Sequence, residues 1–159
     1  MTDDARRPSV YVDANPFIYF IEGEDAVANR LKPFFELLRQ RPGTAATSEL
    51  TLAEVLPKAR PDARRSYLNL IVWSNLFHLQ PVTREILIDT ADYRRTAIRT
   101  IAEGRSIMPK LPDAIHVVTA VRTRCRAILS ADGGLKAPLG MAIFEPSESG
   151  IASLLREIA

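Results

Sequence analysis

The sequence is poor in the residues that disulfide-bonded or membrane-anchored proteins depend on. Cys125 is the only cysteine among 159 residues, so no disulfide can form within the chain and a metal site built from several thiolates is excluded. The longest apolar stretches are far shorter than the roughly 20 residues that a membrane-spanning helix needs. Residues 1–9 are charged and contain no apolar segment, which argues against a signal peptide. We therefore expect a soluble, cytoplasmic protein without membrane contacts.

The sequence also lacks a large excess of charge of one sign. Its net charge of +2 gives no support to a uniformly basic surface for nucleic acid. The arginines nevertheless form local clusters, and each cluster is either a solvated helix face or part of a groove for phosphates. These clusters are Arg6-Arg7, Arg60 with Arg64-Arg65, Arg94-Arg95 with Arg99, and Arg122-Arg124-Arg126.

Short, β-branched-rich runs alternate with segments of helical periodicity. Strands are predicted over residues 10–12, 44–46, 76–79, 127–129 and 142–144, and helices over residues 17–21, 25–41, 48–58, 83–103 and 112–123. A further helix begins at Pro61, Ser147 or Ser149 caps a last one, Pro33 predicts a kink or a break, and residues 105–110 are a predicted loop. This order predicts an α/β/α sandwich with a short, mostly parallel central sheet. We expect a flexible tail over residues 1–9 and a single domain over residues 10–159.

Four acidic residues occupy positions at which ligands gather in α/β proteins. Asp13 and Asp132 follow predicted strands, Asp113 opens a predicted helix, and Glu54 lies within another. Because ligands bind beyond the carboxyl ends of parallel strands, these side chains are candidates for one shared site. Two carboxylates about 4 Å apart repel by roughly 4 kcal/mol at an effective dielectric constant near 20. Protons or cations must relieve that repulsion, and clustered oxygen ligands suit Mg²⁺ or Mn²⁺.

Each of these acids also has a structural interpretation. Asp13 can cap the helix that follows it, Asp113 can favour the positive end of its helix, and Asp132 precedes two glycines, as turn residues often do. Glu54, taken alone, fits a solvated helix position. Asn15 and Ser130 are candidate supporting residues that can orient a carboxylate, although a turn and a strand end explain them too. His116, one helical turn after Asp113, is better explained as a core or rim histidine than as a catalytic base.

The four acidic segments together resemble the ordered motifs of PIN domains, most closely those of VapC-type toxins of prokaryotic toxin–antitoxin pairs. The matching segments are Val10-Tyr11-Val12-Asp13-Ala14-Asn15, Leu52-Ala53-Glu54-Val55, Leu111-Pro112-Asp113-Ala114-Ile115-His116 and Ile128-Leu129-Ser130-Ala131-Asp132.

This resemblance implies a ribonuclease that depends on Mg²⁺ or Mn²⁺ and cuts RNA, often tRNA or ribosomal RNA, so that translation stops. It implies cleavage that leaves a 5′-phosphate and a 3′-hydroxyl, a homodimer, and a small antitoxin that blocks the acidic pocket. By the same resemblance Asp13, Glu54, Asp113 and Asp132 are catalytic residues that hold the metal, supported by Asn15 and Ser130.

Two other functions fit the same residues. The chain can be a housekeeping PIN-type nuclease, acting in RNA processing or on structured DNA without an antitoxin. It can also be an RNA-binding module of the same fold with weak catalysis, although acids in all four motifs argue against that. A phosphorylated receiver domain shares the α/β layout, but the chain lacks a convincing acidic pair before the first-strand aspartate and a late lysine at a strand end.

Overall fold

A five-stranded parallel sheet occupies the middle of the computed structural model, which describes residues 7–100, 102–133, 135–138 and 140–159. The strands of the described residues, in chain order, are β1 (Val10–Val12), β2 (Ala45–Ser48), β3 (Phe77–Gln80), β4 (Arg99–Thr100), β5 (Ser106–Ile107), β6 (Ala127–Leu129) and β7 (Ala142–Phe144). The large sheet has the order β3-β2-β1-β6-β7, and β4 pairs with β5 in a separate antiparallel ribbon. The predicted α/β fold with a parallel central sheet is confirmed.

Helices follow most of the strands, as right-handed crossovers between parallel strands require. They are α1 (Ala14–Glu22), α2 (Asp25–Gln40), α3 (Leu50–Val55), α4 (Pro61–Leu68), α5 (Arg84–Thr96), α6 (Leu111–Arg122) and α7 (Glu148–Ile158). A π-helical turn at Asn69–Trp73 extends α4, and a 3₁₀ turn lies at Ala102–Gly104. None of the helices in the described part of the chain is both long and apolar enough to cross a membrane.

Strand β1 is central because its side chains are buried on both faces. Val10 and Val12 belong to the larger core, which α1, α2 and α7 cover, whereas Tyr11 points into a second core with Ala120 of α6. This alternation is the period of two that a strand imposes. It also places Asp13, the next residue, at the carboxyl edge of the sheet.

Pro33 and Pro57 affect their helices differently. Helix α2 continues across Pro33, so the predicted break is absent. Pro33 is exposed, and the carbonyl that its ring deprives of a partner can therefore turn to water. Helix α3 ends at Val55 rather than near residue 58. Leu56 keeps helical backbone angles, but Pro57 has no backbone N–H with which to continue the hydrogen bonds of the helix.

The helix predicted over residues 83–103 is confirmed as far as residue 96 and wrong beyond it. Thr83 caps α5 as expected, accepting a hydrogen bond from the Ile86 amide at 3.2 Å, but the helix ends at Thr96. The β-branched residues Thr96, Ile98 and Thr100 weaken a helix there. The chain forms β4 instead and pairs with β5, which lies inside the predicted loop 105–110.

Backbone hydrogen bonds attach Ser9 to the sheet, and a side-chain cap begins the last helix. Ser9 donates a backbone hydrogen bond to Thr44 and accepts one from Arg126, while residues 1–6 of the predicted tail lie outside the described residues. The division into a tail and one domain stays a prediction. At the other end, the Ser147 hydroxyl caps α7 by accepting from the Gly150 amide at 3.0 Å.

Candidate functional site

Asp13 lies at the carboxyl end of β1 and is one of the few buried charged residues in the structure. Only 7% of its surface is exposed. The Ser130 hydroxyl, at the end of the neighbouring strand β6, donates a hydrogen bond to Asp13 Oδ2. The other oxygen, Oδ1, is buried and has no hydrogen-bond partner among the described residues. A buried carboxylate oxygen without a partner is costly, and it is an available ligand for a cation.

Burial of the carboxylate raises the pKa of Asp13 to about 6. The Ser130 hydroxyl, the nearby His116 and the backbone N–H of Asn15 lower this pKa, but they offset the desolvation only in part. The side chain of Asp13 makes no well-formed capping hydrogen bond to α1, although the N–H of Asn15 in the first turn of α1 favours its charged form. Asn15 acts through its backbone amide.

Asp113 and Asp132 form an acidic pair. Asp113 lies in the first turn of α6, and Asp132 follows β6, where its amide donates to Ser130 Oγ at 3.0 Å. Partial burial, the charge of Asp132 and a hydrogen bond with Asp132 raise the pKa of Asp113. Carboxyl groups in such contact must share a proton or a cation. Ser130 thus links Asp13 to the Asp113–Asp132 pair.

Glu54 reaches the site from α3, and its charge acts on both Asp13 and Asp113. Helix α3 is fixed to β2 by the buried Thr47 and Thr51 hydroxyls, which are 2.9 Å apart. Glu54 Oε1 lies 2.5 Å from His116 Nε2, and its side chain remains 29% exposed. Sequence reasoning predicted the acid but missed this partner, because α3 and α6 are far apart along the chain.

In the present arrangement, residues 7–100, 102–133, 135–138 and 140–159 contain no group of three or more His, Cys, Asp or Glu side chains that could hold a metal ion. The carboxylates instead contact protein groups: Asp13 contacts Ser130, Glu54 contacts His116, and Asp113 contacts Asp132. Mg²⁺ does not require a complete protein cage, since it keeps several waters and often uses one or two carboxylates. The unpartnered Oδ1 of Asp13 and the contact between two acids fit such an ion.

A cavity of about 210 Å³ adjoins the acidic pair. Asp113 and Asp132 form part of its wall, and Tyr93, Met108 and Leu135 supply an aromatic and apolar surface. Two cations, Lys110 and Lys136, also line it. The arginine clusters suggested phosphate contacts, whereas the structure puts lysines beside the acids. No sequence pattern distinguished these lysines.

Several of the clustered arginines bind the protein itself. Arg94 donates to the Pro109 carbonyl at 2.8 Å, and Arg126 donates to the Glu157 carbonyl at 2.9 Å. Arg122 pairs with Asp89 at 2.7 Å. These contacts favour the structural interpretation for three of the clustered residues.

Comparison with known proteins adds a family and a set of similar folds. The PIN domain family model matches residues 10–138, which contain all four acids. No curated protein matches the chain in sequence.

Three solved structures illustrate the likeness in fold. VapBC2 from Rickettsia felis, bound to a DNA fragment from their promoter, is 14% identical with a TM-score of 0.61, and the match covers 86% of this chain and 97% of that one. Mycobacterium tuberculosis VapC20, a toxin that cleaves the sarcin–ricin loop, is 16% identical with a TM-score of 0.59, covering 80% and 92%. FitAcB from Neisseria gonorrhoeae is 17% identical with a TM-score of 0.56, covering 86% and 97%. Identities this low show similarity of fold alone.

Proposed function

The chain belongs to the PIN domain family, and we propose that it is a divalent-metal-dependent endoribonuclease that hydrolyses RNA phosphodiester bonds. The observation that carries the proposal is the buried Asp13, whose unpartnered Oδ1 lies at the edge of the sheet, where the charge of Glu54 acts on it. A cation is the simplest group that would satisfy this oxygen and neutralise the acids around it.

Each acid has a part in this proposal. Asp13 and Asp113 hold the metal, while Glu54 and Asp132 complete the site or orient the attacking water. Bound Mg²⁺ or Mn²⁺ would polarise the phosphoryl group, lower the pKa of a water molecule and stabilise the leaving oxygen. Ser130 supports the site by fixing Oδ2 of Asp13, which leaves Oδ1 for the ion. The backbone N–H of Asn15 favours the charged form of Asp13, which is the form that binds metal.

RNA is the proposed substrate because the cavity beside the acids is lined both by lysines and by an aromatic and apolar surface. Lysines suit the phosphate backbone, and the Tyr93 ring with its apolar neighbours suits an unpaired base. One protein of similar fold, VapC20, is a toxin that cleaves the sarcin–ricin loop, and this likeness supports RNA of the translation machinery, tRNA or rRNA, as the target. Such a nuclease would act in the cytoplasm.

The same likeness supports the toxin of a toxin–antitoxin pair, whose small antitoxin would cover the acidic site. VapBC2 and FitAcB are among the proteins of similar fold. A homodimer is also proposed, and the exposed Leu87 and Ile88 of α5 and Val121 of α6 are apolar side chains that association would bury. A small antitoxin-like reading frame beside the gene would separate a toxin from a housekeeping nuclease.

The direct experiment is RNA cleavage by the purified protein with chelator, Mg²⁺ or Mn²⁺, followed by mapping of the cut ends. We expect new 5′-phosphate ends only when a divalent metal is present. Cleavage that continues undiminished in chelator would contradict the proposal. Tight RNA binding without turnover in either metal would favour the second candidate, an RNA-binding PIN module. The observation behind this candidate is that the described side chains form no group of three or more His, Cys, Asp or Glu that could hold a metal ion.

The two cavity lysines provide a separate prediction about RNA binding. Lys110→Gln and Lys136→Gln are each expected to raise KM for RNA while leaving kcat close to that of the wild type. Each change removes one phosphate contact, so the slope of log K against log salt concentration should fall by about 0.7 for single-stranded RNA. Lys32→Gln, an exposed lysine on α2, is the matched control. If all three substitutions change KM and the salt dependence equally, the cavity does not bind the RNA.

A further inference from the structure

A hydrogen-bonded chain of three side chains connects the central strand to the edge of the acidic site. The Tyr11 hydroxyl lies 2.5 Å from His116 Nδ1, and His116 Nε2 lies 2.5 Å from Glu54 Oε1. Tyr11 is completely buried and His116 is 3% exposed. The two rings lie 5.6 Å apart between centroids, at an angle of 57°. The chain ends on the most exposed of its three members, Glu54.

We propose that Tyr11 and His116 are positioning residues that aim the Glu54 carboxylate at the metal site, with His116 held in the tautomer that carries its proton on Nε2. The inference rests on the proposed function for the identity of the ion that Glu54 helps to hold. It does not depend on which RNA is cut or on whether an antitoxin exists.

The direction of the hydrogen bonds follows from the chemistry of Tyr11. A phenol has an ordinary pKa of about 10, so the Tyr11 hydroxyl keeps its proton at neutral pH and can donate it. Among the described residues, the side-chain partner of this hydroxyl is His116 Nδ1, and we infer that the phenol donates its proton to this nitrogen. Nδ1 is then an acceptor, and in the neutral ring the proton must be on Nε2. Nε2 therefore donates to the carboxylate of Glu54.

Donation from His116 Nε2 to Glu54 matters because few other contacts hold the Glu54 side chain in place. It lies on the six-residue helix α3, and its side chain is 29% exposed, so a free glutamate there would sample several rotamers. The His116 bond holds one oxygen, Oε1, and leaves Oε2 for the site. Partners of metal ligands commonly act in this way, fixing the orientation and the protonation state of the group that binds the ion.

The tautomer can be measured directly, without metal or substrate. The chain has two histidines, so the imidazole signals of a side-chain ¹⁵N spectrum come only from His116 and from His78 of β3. We expect His116 of the wild type to show a protonated Nε2 and a free Nδ1, and Tyr11→Phe to lose that pattern while His78 keeps its own. A wild-type His116 that is protonated on Nδ1 at neutral pH would overturn the inference.

Mn²⁺ affinity tests whether the chain of hydrogen bonds acts through Glu54. Tyr11→Phe and His116→Leu are each expected to raise the Kd for Mn²⁺ about tenfold or more, and His116→Gln, which retains a donor, should lose less than His116→Leu. In a Glu54→Gln background, Tyr11→Phe should have no further effect on Kd. Tyr67→Phe is the matched control, since Tyr67 is another buried tyrosine whose hydroxyl bonds Glu22, away from this site.

The outcomes separate this inference from the proposed function. If the wild type cleaves RNA and Tyr11→Phe keeps both the tautomer and the Kd, the inference fails and the nuclease stands. If Mn²⁺ binding depends on Tyr11 through Glu54 but no RNA is cut, the nuclease fails and the inference stands. A wild type that binds no Mn²⁺, or a Tyr11→Phe effect of equal size with and without Glu54, contradicts the positioning role.

Discussion

Asp13→Asn is expected to lower the rate of RNA cleavage by about a thousandfold, and Asp113→Asn by a similar factor. Metal catalysis supplies several kcal/mol of transition-state stabilisation, and about 4 kcal/mol corresponds to a thousandfold at about 1.4 kcal/mol for each factor of ten. Asparagine keeps the size of the side chain but removes the charge that holds the ion. The measurement is single-turnover cleavage in saturating Mg²⁺ or Mn²⁺, with the cut ends mapped.

The loss must come from the site and not from unfolding. Both variants should keep the circular dichroism spectrum and cooperative unfolding of the wild type. Asp92→Asn is the matched control, because Asp92 is an aspartate of α5 whose side chain is 65% exposed and pairs with Arg95 at 3.5 Å. Losing that surface pair costs about 1 kcal/mol or less and should leave cleavage unchanged. Cleavage that persists in both Asp13→Asn and Asp113→Asn would reject the proposed function.

Expression in cells provides the physiological form of this comparison. The wild type should arrest growth and produce new RNA ends, while Asp13→Asn should produce neither. A nuclease without a role in growth control would produce the ends without the arrest, which would favour the housekeeping alternative.

Asp13, Asp113 and Asp132 stood out in the sequence because each follows a local pattern, whereas Glu54 had none and was singled out only as part of the set. Asp13 and Asp132 follow short apolar strands closely, and parallel strands end at one edge of a sheet. Asp113 follows Pro112, which marks the start of a helix. These signals lie within a few residues of each acid, so no knowledge of distant contacts was needed to place them.

The contacts of the acids were not predictable, since they join distant parts of the chain. Ser130 bonds Asp13 across 117 positions, and His116 bonds Glu54 across 62. Sequence alone favoured a core or rim role for His116, and the ring is indeed buried. Nothing in the sequence near His116 indicated that its two ring nitrogens contact Tyr11 of β1 and Glu54 of α3.

The sequence also did not show which phenylalanines are buried and which lie at the surface. From the sequence alone, either the core or an exposed apolar face for a dimer partner or an antitoxin can accommodate Phe17, Phe20, Phe34 and Phe35. In the structure Phe17, Phe34 and Phe35 are fully buried, and Phe20 stacks on Phe35 with centroids 4.1 Å apart. Helical periodicity identifies an apolar face but does not say what covers it. That choice depends on how α1 and α2 pack.

Without metal, the free energy of unfolding is expected to fall by roughly 2.4 kcal/mol between pH 4 and pH 7 on account of Asp13. Its pKa is raised from 3.8 to about 6 by burial, so the folded state binds the proton more tightly than the unfolded chain. The contribution is therefore most favourable below pH 3.8 and is lost as the pH rises through 6. A shift of about two units corresponds to about 3 kcal/mol, a large part of a typical total of roughly 5–15 kcal/mol.

Asp13→Asn isolates this effect because the variant cannot ionise at that position. In chelator at about pH 7.5, its free energy of unfolding should exceed that of the wild type by up to about 3 kcal/mol, and the difference should shrink toward pH 4. Urea unfolding at several pH values measures the difference, in which the other titrating groups largely cancel. Asp92→Asn is the surface control for the same substitution.

Adding Mn²⁺ at the same pH should reverse the order of stability. An ion that binds the folded wild type stabilises it by mass action, whereas Asp13→Asn has lost the charge that attracts the ion. A wild type that is more stable than Asp13→Asn in chelator at that pH would mean that the buried carboxylate is satisfied by the protein itself. In that case the orphaned Oδ1 would no longer argue for a cation, and the metal site would have to rest on Asp113 and Asp132 alone.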